Sequence, residues 1–334
     1  MSCRLSGLAT AHAAPVMVNS VLLVKTSSLG DVIHALPAVS DMRAAMPDLR
    51  IDWLVEESLV AIPRLHAGVA DVIPVALRRW RRSFWKKDTR DQISVFAGRL
   101  RARTYDAVID AQGLFKSAVI ALMARGPRHG LDFHSAREPL GLFYQRCYRV
   151  GWDIHAVERN RQLAARVLGY AVDRPCNFGI SAASREFAWL EHGRYAVLLH
   201  ATSGDYKLWP EANWIGLSDA FAAEGIRCVL TWGNAREHAR CVRLAERMKN
   251  AVIAPSLDFA ALAGLFAGAT TIVGVDTGLT HLAAALGRPT VGIYLGTDPA
   301  ATGIYGCARA CNVGGIGIVP PVDDVLRAVR KVAD

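Results

Sequence analysis

Short apolar runs alternate with helical patterns along most of the chain, and this alternation constrains the fold more than any other feature of the sequence. A strand that connects through a helix to the next strand forms a βαβ unit, in which the two strands are parallel. The sequence therefore predicts an α/β fold of parallel sheets with helices on both faces.

The first half of the chain contains four predicted strands and six predicted helices. The strands are Val21–Lys25, Ile51–Glu56, Val72–Val75 and Ala107–Ala111. The helices are Ala38–Met46, Ser58–Leu65, Asp91–Arg103, Leu114–Arg125, Glu138–Cys147 and Ala156–Leu168.

The second half repeats the alternation. Its predicted strands are Tyr195–His200, Cys228–Trp232, Thr271–Val275 and Thr290–Tyr294. Its predicted helices are Glu211–Ala223, Ala235–Met248, Phe259–Phe266, Leu279–Leu286 and Val322–Val332.

A change of composition separates the two halves. Pro, Gly, Asn and Ser accumulate in GYAVDRPCNFGISAAS, residues 169–184, and the hydrophobic periodicity fades there. Because 334 residues suffice for two domains, we predict two doubly wound, Rossmann-like domains at 17–170 and 185–334, with a linker at 171–184. Two such domains form a cleft between the carboxyl ends of their strands.

The two ends of the chain need separate interpretations. We interpret residues 1–16 as a disordered leader, and the sequence leaves open whether translation starts at Met1 or Met17. We assign the terminal helix to the second domain, with packing back onto the first domain as an alternative.

The amino-acid composition indicates a globular protein with anionic binding partners. The chain is 52% hydrophobic and 21% charged, which is typical of a folded globular protein, and its net charge of +9 favours anionic partners. Seven cysteines without a regular framework favour a reducing compartment, and Cys307 and Cys311 lack the further ligands that a metal site needs. The uncharged segment 259–275 is long enough to suggest a membrane span, but its glycines and threonines favour a buried helix followed by a strand.

The second half contains a predicted phosphate site in VGVDTGLTHLAAALGRP. A buried strand ends at Asp276, Thr277 and Gly278 form a turn, and a helix that contains His281 follows. Free N–H groups and the dipole at such a helix start suit an anion. The alternative is an ordinary strand–turn–helix unit in which Asp276 only caps the helix.

Two further strand-end loops of the second half carry polar groups. LLHATSGDYKLWP offers the hydroxyls of Thr202 and Ser203 and the charge of Lys207, which suit a phosphate. TWGNAREHA offers Glu237 for a ribose diol, although it could equally be a surface acid on a helix.

The first strand ends in KTSSLGDVIH, which contains one glycine, Gly30, and one acid, Asp31. The chain has no dinucleotide fingerprint, Walker motif or Asp-x-Asp pair, so the sequence offers no glycine-rich phosphate loop or metal-chelated diphosphate site there. From the residues alone, a helix N-cap is the favoured interpretation of Asp31, with a catalytic role as the alternative.

Basic residues of the first half are candidates for binding an anion. Lys116 follows a strand end, and Arg137 and Arg159 lie in later loops and helices. The run RRWRRSFWKK places six basic residues among three aromatic ones, Trp80, Phe84 and Trp85. This run is either a solvated loop or a surface that binds anions and contacts lipid headgroups.

Several of these stretches, in order, resemble the ADP-heptose:lipopolysaccharide heptosyltransferases of glycosyltransferase family 9. The resemblance depends on VKTSSLGDVIHALPA, IDWLVEE, IPVALRRWRR, YDAVIDAQGLFKSA, HAVERNR, HATSGDYKLWP and VDTGLTHLAAALGRPT. Residues 1–16 have no counterpart in the family, and 307–321 match poorly.

The resemblance implies a GT-B fold and an inverting transfer without a metal or other cofactor. The donor would be ADP-L-glycero-β-D-manno-heptose. The acceptor would be the inner Kdo of Kdo2-lipid A, at the cytoplasmic face of the inner membrane, with peripheral membrane contact. The motif KTSSLGDVIH resembles the enzyme that adds the first heptose more than one that extends a heptosylated core. A non-enzymatic nucleotide-binding protein is the alternative from another class; without a recognised nucleic-acid module, a nucleic-acid partner is not expected.

The resemblance also implies the roles of individual residues. Asp31 would be the catalytic base, and Lys207 would stabilise the leaving ADP. The donor site would be formed by Thr202, Ser203, Lys207, Glu237, Asp276, Thr277, Gly278 and His281. The acceptor-side candidates are Arg78, Arg79, Arg81, Arg82, Lys116, Arg137 and Arg159.

Overall fold

A computed structural model describes residues 18–333 of the chain. The predicted leader and the alternative start at Met17 lie outside the described residues. Within 18–333 the strands form two parallel sheets of six strands each. The predicted α/β architecture is therefore confirmed.

The first sheet has the order β3-β2-β1-β4-β5-β6. Its strands are β1 (Ser20–Val24), β2 (Arg50–Glu56), β3 (Asp71–Val75), β4 (Ala107–Asp110), β5 (Arg128–Leu131) and β6 (Arg146–Tyr148). Its α-helices are α1 (Leu29–Ile33), α2 (Leu36–Ala45), α3 (Ala61–Arg64), α4 (Leu77–Trp80), α5 (Lys87–Arg101), α6 (Phe115–Ala121) and α7 (Ala156–Leu168). Short 3-10 helices span Glu57–Leu59 and Gly141–Phe143.

The second sheet repeats this topology, with the order β12-β11-β10-β7-β8-β9. Its strands are β7 (Tyr195–Leu199), β8 (Arg227–Leu230), β9 (Ala251–Ile253), β10 (Thr271–Val275), β11 (Thr290–Tyr294) and β12 (Ala310–Gly314). Its α-helices are α8 (Glu211–Ala223), α9 (Ala235–Ala245), α10 (Phe259–Gly268), α11 (Gly278–Ala285), α12 (Pro299–Thr302) and α13 (Val322–Ala333). A 3-10 helix spans Asp205–Lys207.

Strand β1 shows why the apolar runs are continuous rather than alternating. Val21 and Leu23 belong to one hydrophobic core, and Leu22 and Val24 belong to the core on the opposite face of the sheet. All four residues are buried, because helices cover both faces.

Most of the errors in the predicted strands lie at or next to the edges of the two sheets. The predicted helix Glu138–Cys147 is wrong, because this segment contains a 3-10 turn and the exposed edge strand β6 instead. Strands β5, β9 and β12 were also not predicted from the sequence. β6 and β9 are three residues long, and the two have no fully buried residue, so neither presents the apolar run that marks a central strand.

Two other predictions about elements can be compared with the structure. The uncharged segment 259–275 forms α10 and the buried strand β10, as predicted, and no helix between residues 18 and 333 is long and apolar enough to cross a bilayer. Helix α13 packs against α8, β11 and β12 of the second domain. The predicted boundaries 17–170, 171–184 and 185–334 stay a prediction; between α7 and β7 the chain forms no helix or ladder strand.

In each sheet the order in which strands are added reverses at one point, between β1 and β4 in the first sheet and between β7 and β10 in the second. Loops at such a switch point form a crevice for ligands. In the first domain these are the loops after β1 and β4, and in the second the loops after β7 and β10. Helix α1 packs against helix α11, so the two switch points face each other.

Candidate active site

A cavity of about 410 Å³ lies between the two domains, and we call it the interdomain cavity. Asp31 and His34 line it from the first domain. The second domain contributes seven of the eight predicted donor-site residues: Thr202, Ser203, Lys207, Asp276, Thr277, Gly278 and His281. The fold therefore brings both switch points to one space.

Asp276 is the centre of the polar network in this cavity. Lys207 Nζ and Thr297 Oγ1 donate hydrogen bonds to its Oδ2 at 2.7 and 2.6 Å, and His281 Nε2 lies 3.8 Å from its Oδ1. Burial alone would raise the pKa of this carboxyl, but the nearby His281 imidazole and the hydrogen bonds from Lys207 and Thr297 hold it well below its usual value. Asp276 therefore stays ionised and fixes the ammonium group of Lys207.

The start of helix α11 is placed to bind an anion. Thr277 is the N-cap residue, and its side chain does not cap the helix. Thr202 Oγ1 donates a hydrogen bond to the carbonyl oxygen of Asp276 at 2.7 Å, which ties the loop after β7 to the loop after β10. The N–H groups of the first turn, helped by the helix dipole, face the cavity that Lys207 also lines.

Glu237 is the predicted donor residue that does not line the interdomain cavity. Its carboxylate accepts hydrogen bonds from Gly233 N–H and Asn234 Nδ2, each at 2.7 Å, at the start of α9. In this structure Glu237 therefore helps to cap the start of α9 next to the N-cap residue Asn234, and its contact with the donor stays a prediction.

Asp31 lies in the first turn of α1, three residues after the N-cap Ser28. Its Oδ2 accepts hydrogen bonds from the N–H of Ser28 at 2.8 Å and from Ser28 Oγ at 2.9 Å. Its Oδ1 accepts none from the residues that the structure describes. Ser28 thus holds the carboxylate in place and leaves one oxygen available.

A second cavity, of about 160 Å³, lies on the other side of Asp31. Three basic residues line it, Lys25, Arg137 and Arg159, and we call it the cationic cavity. Asp31 and Thr302 line both cavities. Asp31 therefore lies where the two cavities adjoin.

Arg159 has an unused donor in the cationic cavity. Its Nη2 donates to the carbonyl oxygen of Ser135 at 2.6 Å, and its guanidinium carbon lies 3.4 Å from the ring centroid of Trp152. Its buried Nη1 has no hydrogen-bond partner in the described chain. Burial, with a smaller effect of the Arg137 charge, lowers the pKa of Arg159 to about 10. An anion would satisfy this donor and offset the charge.

Lys25 is a site residue that the sequence analysis missed. Its Nζ donates to the carbonyl oxygen of Ala111 at 2.7 Å. Burial lowers its pKa, and the charge of Asp31 opposes that effect. The available signal was its position: a lysine directly after the buried run Val21–Val24 must end at the carboxyl edge of the sheet, where the ligand site lies.

The loop after β4 supports the loop that leads to Asp31. Gln112 Oε1 accepts hydrogen bonds from the N–H groups of Thr26 and Ser27, at 2.9 and 3.0 Å. Asp110 is fully buried and accepts hydrogen bonds from Gln112, Gly113, Ser117 and Tyr144, so it holds the loop that presents Gln112.

The basic run 78–87 has two sides. Arg78 and Arg81 line a groove with Lys116, whose Nζ donates to Ser27 Oγ at 3.0 Å. Arg79 instead forms a bidentate pair with Glu57 and contacts Gln92. The side chain of Arg82 is exposed and makes no hydrogen bond or ion pair within residues 18–333.

The three aromatic residues of this run also differ. Phe84 and Trp85 are about 60% exposed. Trp80 is buried, packs against Phe96 and donates its Nε1 hydrogen to Gln92. The expectation that Trp80 contacts lipid headgroups is therefore wrong, since the residue belongs to the core of the first domain.

A chain of buried histidines crosses between the domains. His34 Nε2 of α1 lies 3.3 Å from His281 Nδ1 of α11. If His281 directs its Nε2 proton towards Asp276, then its Nδ1 accepts the proton of His34. Burial, together with the neighbouring histidines, holds the pKa of His34 well below its usual value. A neutral His34 thus connects the helix that carries Asp31 to the Asp276 network.

Comparisons with known proteins agree with this geometry. The family model "Glycosyltransferase family 9 (heptosyltransferase)" matches residues 93–319. Over 86% of its length, the chain is 48% identical to Lipopolysaccharide heptosyltransferase 1 of Pseudomonas aeruginosa and covers 81% of that protein.

Two solved structures are also similar. One is E. coli heptosyltransferase WaaC with ADP, with a TM-score of 0.84 and 41% identity, covering 94% of this chain and 99% of that one. The other is the same enzyme with ADP-2-deoxy-2-fluoro heptose, with a TM-score of 0.81 and 40% identity, covering 93% and 99%. The two-domain GT-B fold predicted from the sequence is thereby confirmed.

Proposed function

Because the chain belongs to glycosyltransferase family 9, the heptosyltransferases, we propose that it transfers L-glycero-D-manno-heptose from ADP-heptose to the inner Kdo of Kdo2-lipid A, during synthesis of the lipopolysaccharide inner core. The name of the Pseudomonas relative supports an acceptor from lipopolysaccharide synthesis. The ADP and ADP-2-deoxy-2-fluoro heptose bound in the two WaaC structures support the donor. The observation that carries the proposal is the position of Asp31 between the interdomain and cationic cavities.

Asp31 is the catalytic base in this proposal. Its Oδ1, which Ser28 leaves available, takes the proton of the acceptor hydroxyl as that oxygen attacks the anomeric carbon of the heptose. The bond from the anomeric carbon to the phosphate oxygen breaks on the opposite face, so the anomeric configuration inverts. One carboxylate suffices, because no covalent intermediate with the enzyme forms.

The second domain stabilises the leaving ADP. Lys207 and the N–H groups at the start of α11 face the space in which diphosphate charge grows as the bond breaks. Thr202, Ser203, Thr277, Gly278 and His281 surround the same space. Asp276 positions Lys207 for this task through the ion pair at 2.7 Å.

The cationic cavity is the proposed site for the Kdo carboxylates. Arg159 offers its unpaired Nη1, and Arg137 and Lys25 add positive charge. Lipid A phosphates are assigned to the more exposed Arg78, Arg81 and Lys116. A peripheral position on the cytoplasmic face of the inner membrane fits these contacts and the net charge of +9.

A matrix of substrates tests the function. ADP-heptose and other nucleotide sugars are each combined with Kdo2-lipid A and with its heptosylated product, and ADP release and mass gain are followed. We expect turnover with ADP-heptose and Kdo2-lipid A. Turnover only with the heptosylated acceptor would identify an enzyme that extends the core, and nucleotide binding without ADP release would contradict catalysis.

Metal-independent transfer is a second testable part of the proposal. Among the described residues there is no group of three or more His, Cys, Asp or Glu side chains that could hold a metal ion. We expect the initial rate to be unchanged within about twofold after dialysis against EDTA. A loss of activity that magnesium restores would assign the stabilisation of the diphosphate to a metal instead of Lys207 and α11.

A further inference from the structure

An apolar groove of about 560 Å³ lies beside the site in the first domain, where α4 and α5 face α6. Its volume is within the ~300–1,000 Å³ that small-molecule sites typically have. Neither the proposed transfer of heptose nor the binding of the Kdo carboxylates uses this space. We call it the apolar groove.

Hydrophobic side chains form the floor of the apolar groove. They are Trp80, Phe96, Phe115, Val119, Ile120 and Met123. Phe115 is 58% exposed and Val119 is 39% exposed, and Phe84 at the edge of the groove is 61% exposed. Apolar surface that stays exposed around a concave space marks a place where an apolar ligand gains free energy by binding.

The rim of the apolar groove is cationic. Arg78, Arg81 and Lys116 line it. Glu56 is the one acid among the lining residues; it is buried and accepts a hydrogen bond from the N–H of Arg78 at 3.2 Å. A basic rim above an apolar floor complements a molecule with an anionic head and an apolar tail.

The groove is continuous with the site. Ser27 lines it and accepts a hydrogen bond from Lys116 Nζ at 3.0 Å. The next residue, Ser28, holds the carboxylate of Asp31. A ligand whose anionic groups lie at Lys116 therefore extends towards Asp31 at one end and into the groove at the other.

We propose that the apolar groove binds one fatty acyl chain of the anionic glycolipid acceptor while the sugar end of that acceptor lies at Asp31. This inference rests on the proposed function for the identity of the acceptor. An acyl chain in the groove fixes the acceptor from the side opposite the Kdo residues, so the enzyme distinguishes an acylated acceptor from a free oligosaccharide.

Direct binding tests the groove independently of turnover. The probes are octyl, decyl and dodecyl phosphate below their micellar concentrations, titrated by calorimetry. Each buried methylene contributes about 0.8 kcal/mol, or roughly fourfold in affinity, so affinity for the wild-type protein should rise along the series. Affinity that is independent of chain length would overturn the proposal.

A matched pair of variants locates the binding. Val119→Trp fills the groove, whereas Val95→Trp adds the same bulk at a 74% exposed valine of α5 that does not line it. We expect at least a tenfold loss of dodecyl phosphate affinity in Val119→Trp and less than a twofold change in Val95→Trp. Equal effects of the two substitutions would refute the groove as the binding site.

Kinetics with two acceptors connects the groove to the reaction. In Val119→Trp, KM should rise about tenfold for fully acylated Kdo2-lipid A in detergent and stay unchanged for a deacylated, water-soluble acceptor. An equal rise for both acceptors would contradict acyl binding. If the alkyl phosphates bind as expected but the wild-type protein transfers no heptose to either acceptor, the proposed function fails and the groove's preference for anionic amphiphiles stands.

A vesicle experiment distinguishes the groove from a membrane-contact surface. Binding to phosphatidylglycerol vesicles should be the same for the wild-type protein and Val119→Trp, because a chain inside the groove has left the bilayer. If Val119→Trp loses vesicle binding while chain length has no effect in solution, this face contacts the membrane surface and the proposal is wrong.

Discussion

At the scale of single residues, Asp31 combines a structural function with the proposed chemical one. The sequence left a helix cap and a catalytic base as alternatives, and the structure shows why the two are compatible. One carboxylate oxygen accepts both hydrogen bonds from Ser28 and the other accepts none from the described residues, while Asp31 lines both cavities.

The substitution Asp31→Asn tests the base. An amide accepts hydrogen bonds from Ser28 but cannot take a proton, so we expect turnover to fall by ~10²–10⁴-fold. ADP affinity and the melting temperature should change little. Asp258→Asn is the matched control, because Asp258 caps α10 with a hydrogen bond from Ala261 N–H. Near-normal turnover of the Asp31 variant would leave this residue only its capping function.

The substitution Lys207→Ala should affect both stability and turnover. Removing one partner of a largely buried ion pair typically costs ~3–5 kcal/mol, here as an upper bound because Lys207 and Asp276 are 17% and 12% exposed. Loss of one group that stabilises transition-state charge typically costs ~10²–10³-fold in turnover.

The double variant Lys207→Ala/Asp276→Asn separates these two effects. It removes the buried charge as well, so unfolding experiments should show stability partly restored. Turnover should stay low, and adenosine affinity should be close to that of the wild type. Restored turnover in the double variant would mean that Lys207 serves only to neutralise Asp276.

The residues that sequence reasoning missed share one property: their importance comes from the tertiary partner. Lys25 and His34 lie in ordinary local sequence, and only the neighbouring loop or the facing domain makes them special. Trp80 shows the reverse error. The sequence placed it in a charged run, whereas its ring packs on Phe96.

At the scale of secondary-structure elements, the contact between α1 and α11 determines the site. Helix α1 carries Asp31, and in the proposed function the N-terminus of α11 binds the diphosphate. An added Cβ at Gly278 would come within 2.6 Å of Leu29, so glycine is required for this close approach. The sequence predicted Gly278 as a donor-site residue, and the structure adds the close approach of a helix from the other domain.

Central strands were predicted well because burial on both faces makes them continuous apolar runs. Thr271–Val275 and Thr290–Tyr294 agree residue for residue with the structure. The edge strands β6 and β9 are short and depend on hydrogen bonds to a neighbouring strand rather than on apolar composition. The residues of β6 and β9 themselves do not indicate which strand will pair with them, so these strands could not be predicted from local sequence.

His155 at the start of α7 makes the contact between domains sensitive to pH. Its Nδ1 accepts a hydrogen bond from Val157 N–H, and its Nε2 donates to the carbonyl oxygen of Gly303 in the second domain, each at 3.1 Å. Burial lowers its pKa to about 4. Protonation of Nδ1 would remove the cap of α7, so the neutral ring is the folded form.

The stability that His155 contributes should therefore depend on pH with a defined sign. The pKa of His155 is lower in the folded than in the unfolded protein. Its contribution to the free energy of unfolding is therefore complete above about pH 6.5 and is lost as the pH falls towards 4. His155→Asn keeps a side chain that can cap a helix but does not titrate. Between pH 7 and 4.5, we expect the wild type to lose on the order of 1 kcal/mol more unfolding free energy than the variant.

Urea unfolding at several pH values measures this difference. His66 and His200, whose pKa values burial also lowers to about 4, are present in both proteins, so the difference isolates His155. Parallel pH dependences of the two proteins would show that His155 does not titrate in this range. A larger loss in the variant would reverse the sign and contradict the neutral cap.

At the scale of the whole molecule, the two domains share a topology but differ in charge chemistry. The second domain uses a helix start and one fixed lysine around a buried acid, whereas the first exposes several arginines and lysines around Asp31 and the apolar groove. The net charge of +9 predicted an anionic partner. It could not show which cations are free, because ion pairing depends on residues distant in sequence, as with Arg79 and Glu57.

That difference in pairing leads to the last prediction, which compares two double variants with the same change of net charge. Arg78→Gln/Arg81→Gln removes two cations from the rim of the apolar groove, and Arg79→Gln/Arg82→Gln removes two that do not line it. Long-range attraction of an anionic acceptor is weakened equally in both, since it depends on total charge. Only the first pair loses direct contacts, which at exposed positions contribute ~0.2–1 kcal/mol each. We therefore expect KM for Kdo2-lipid A to rise roughly three- to tenfold more in the first variant, with ADP affinity unchanged in both.

Added salt should reduce the difference, because exposed charges are screened over ~8–10 Å near physiological ionic strength. Equal KM values for the two variants at every salt concentration would show that the run 78–87 acts only through its total charge, and the acceptor phosphates would then have to bind beside Arg137 and Arg159.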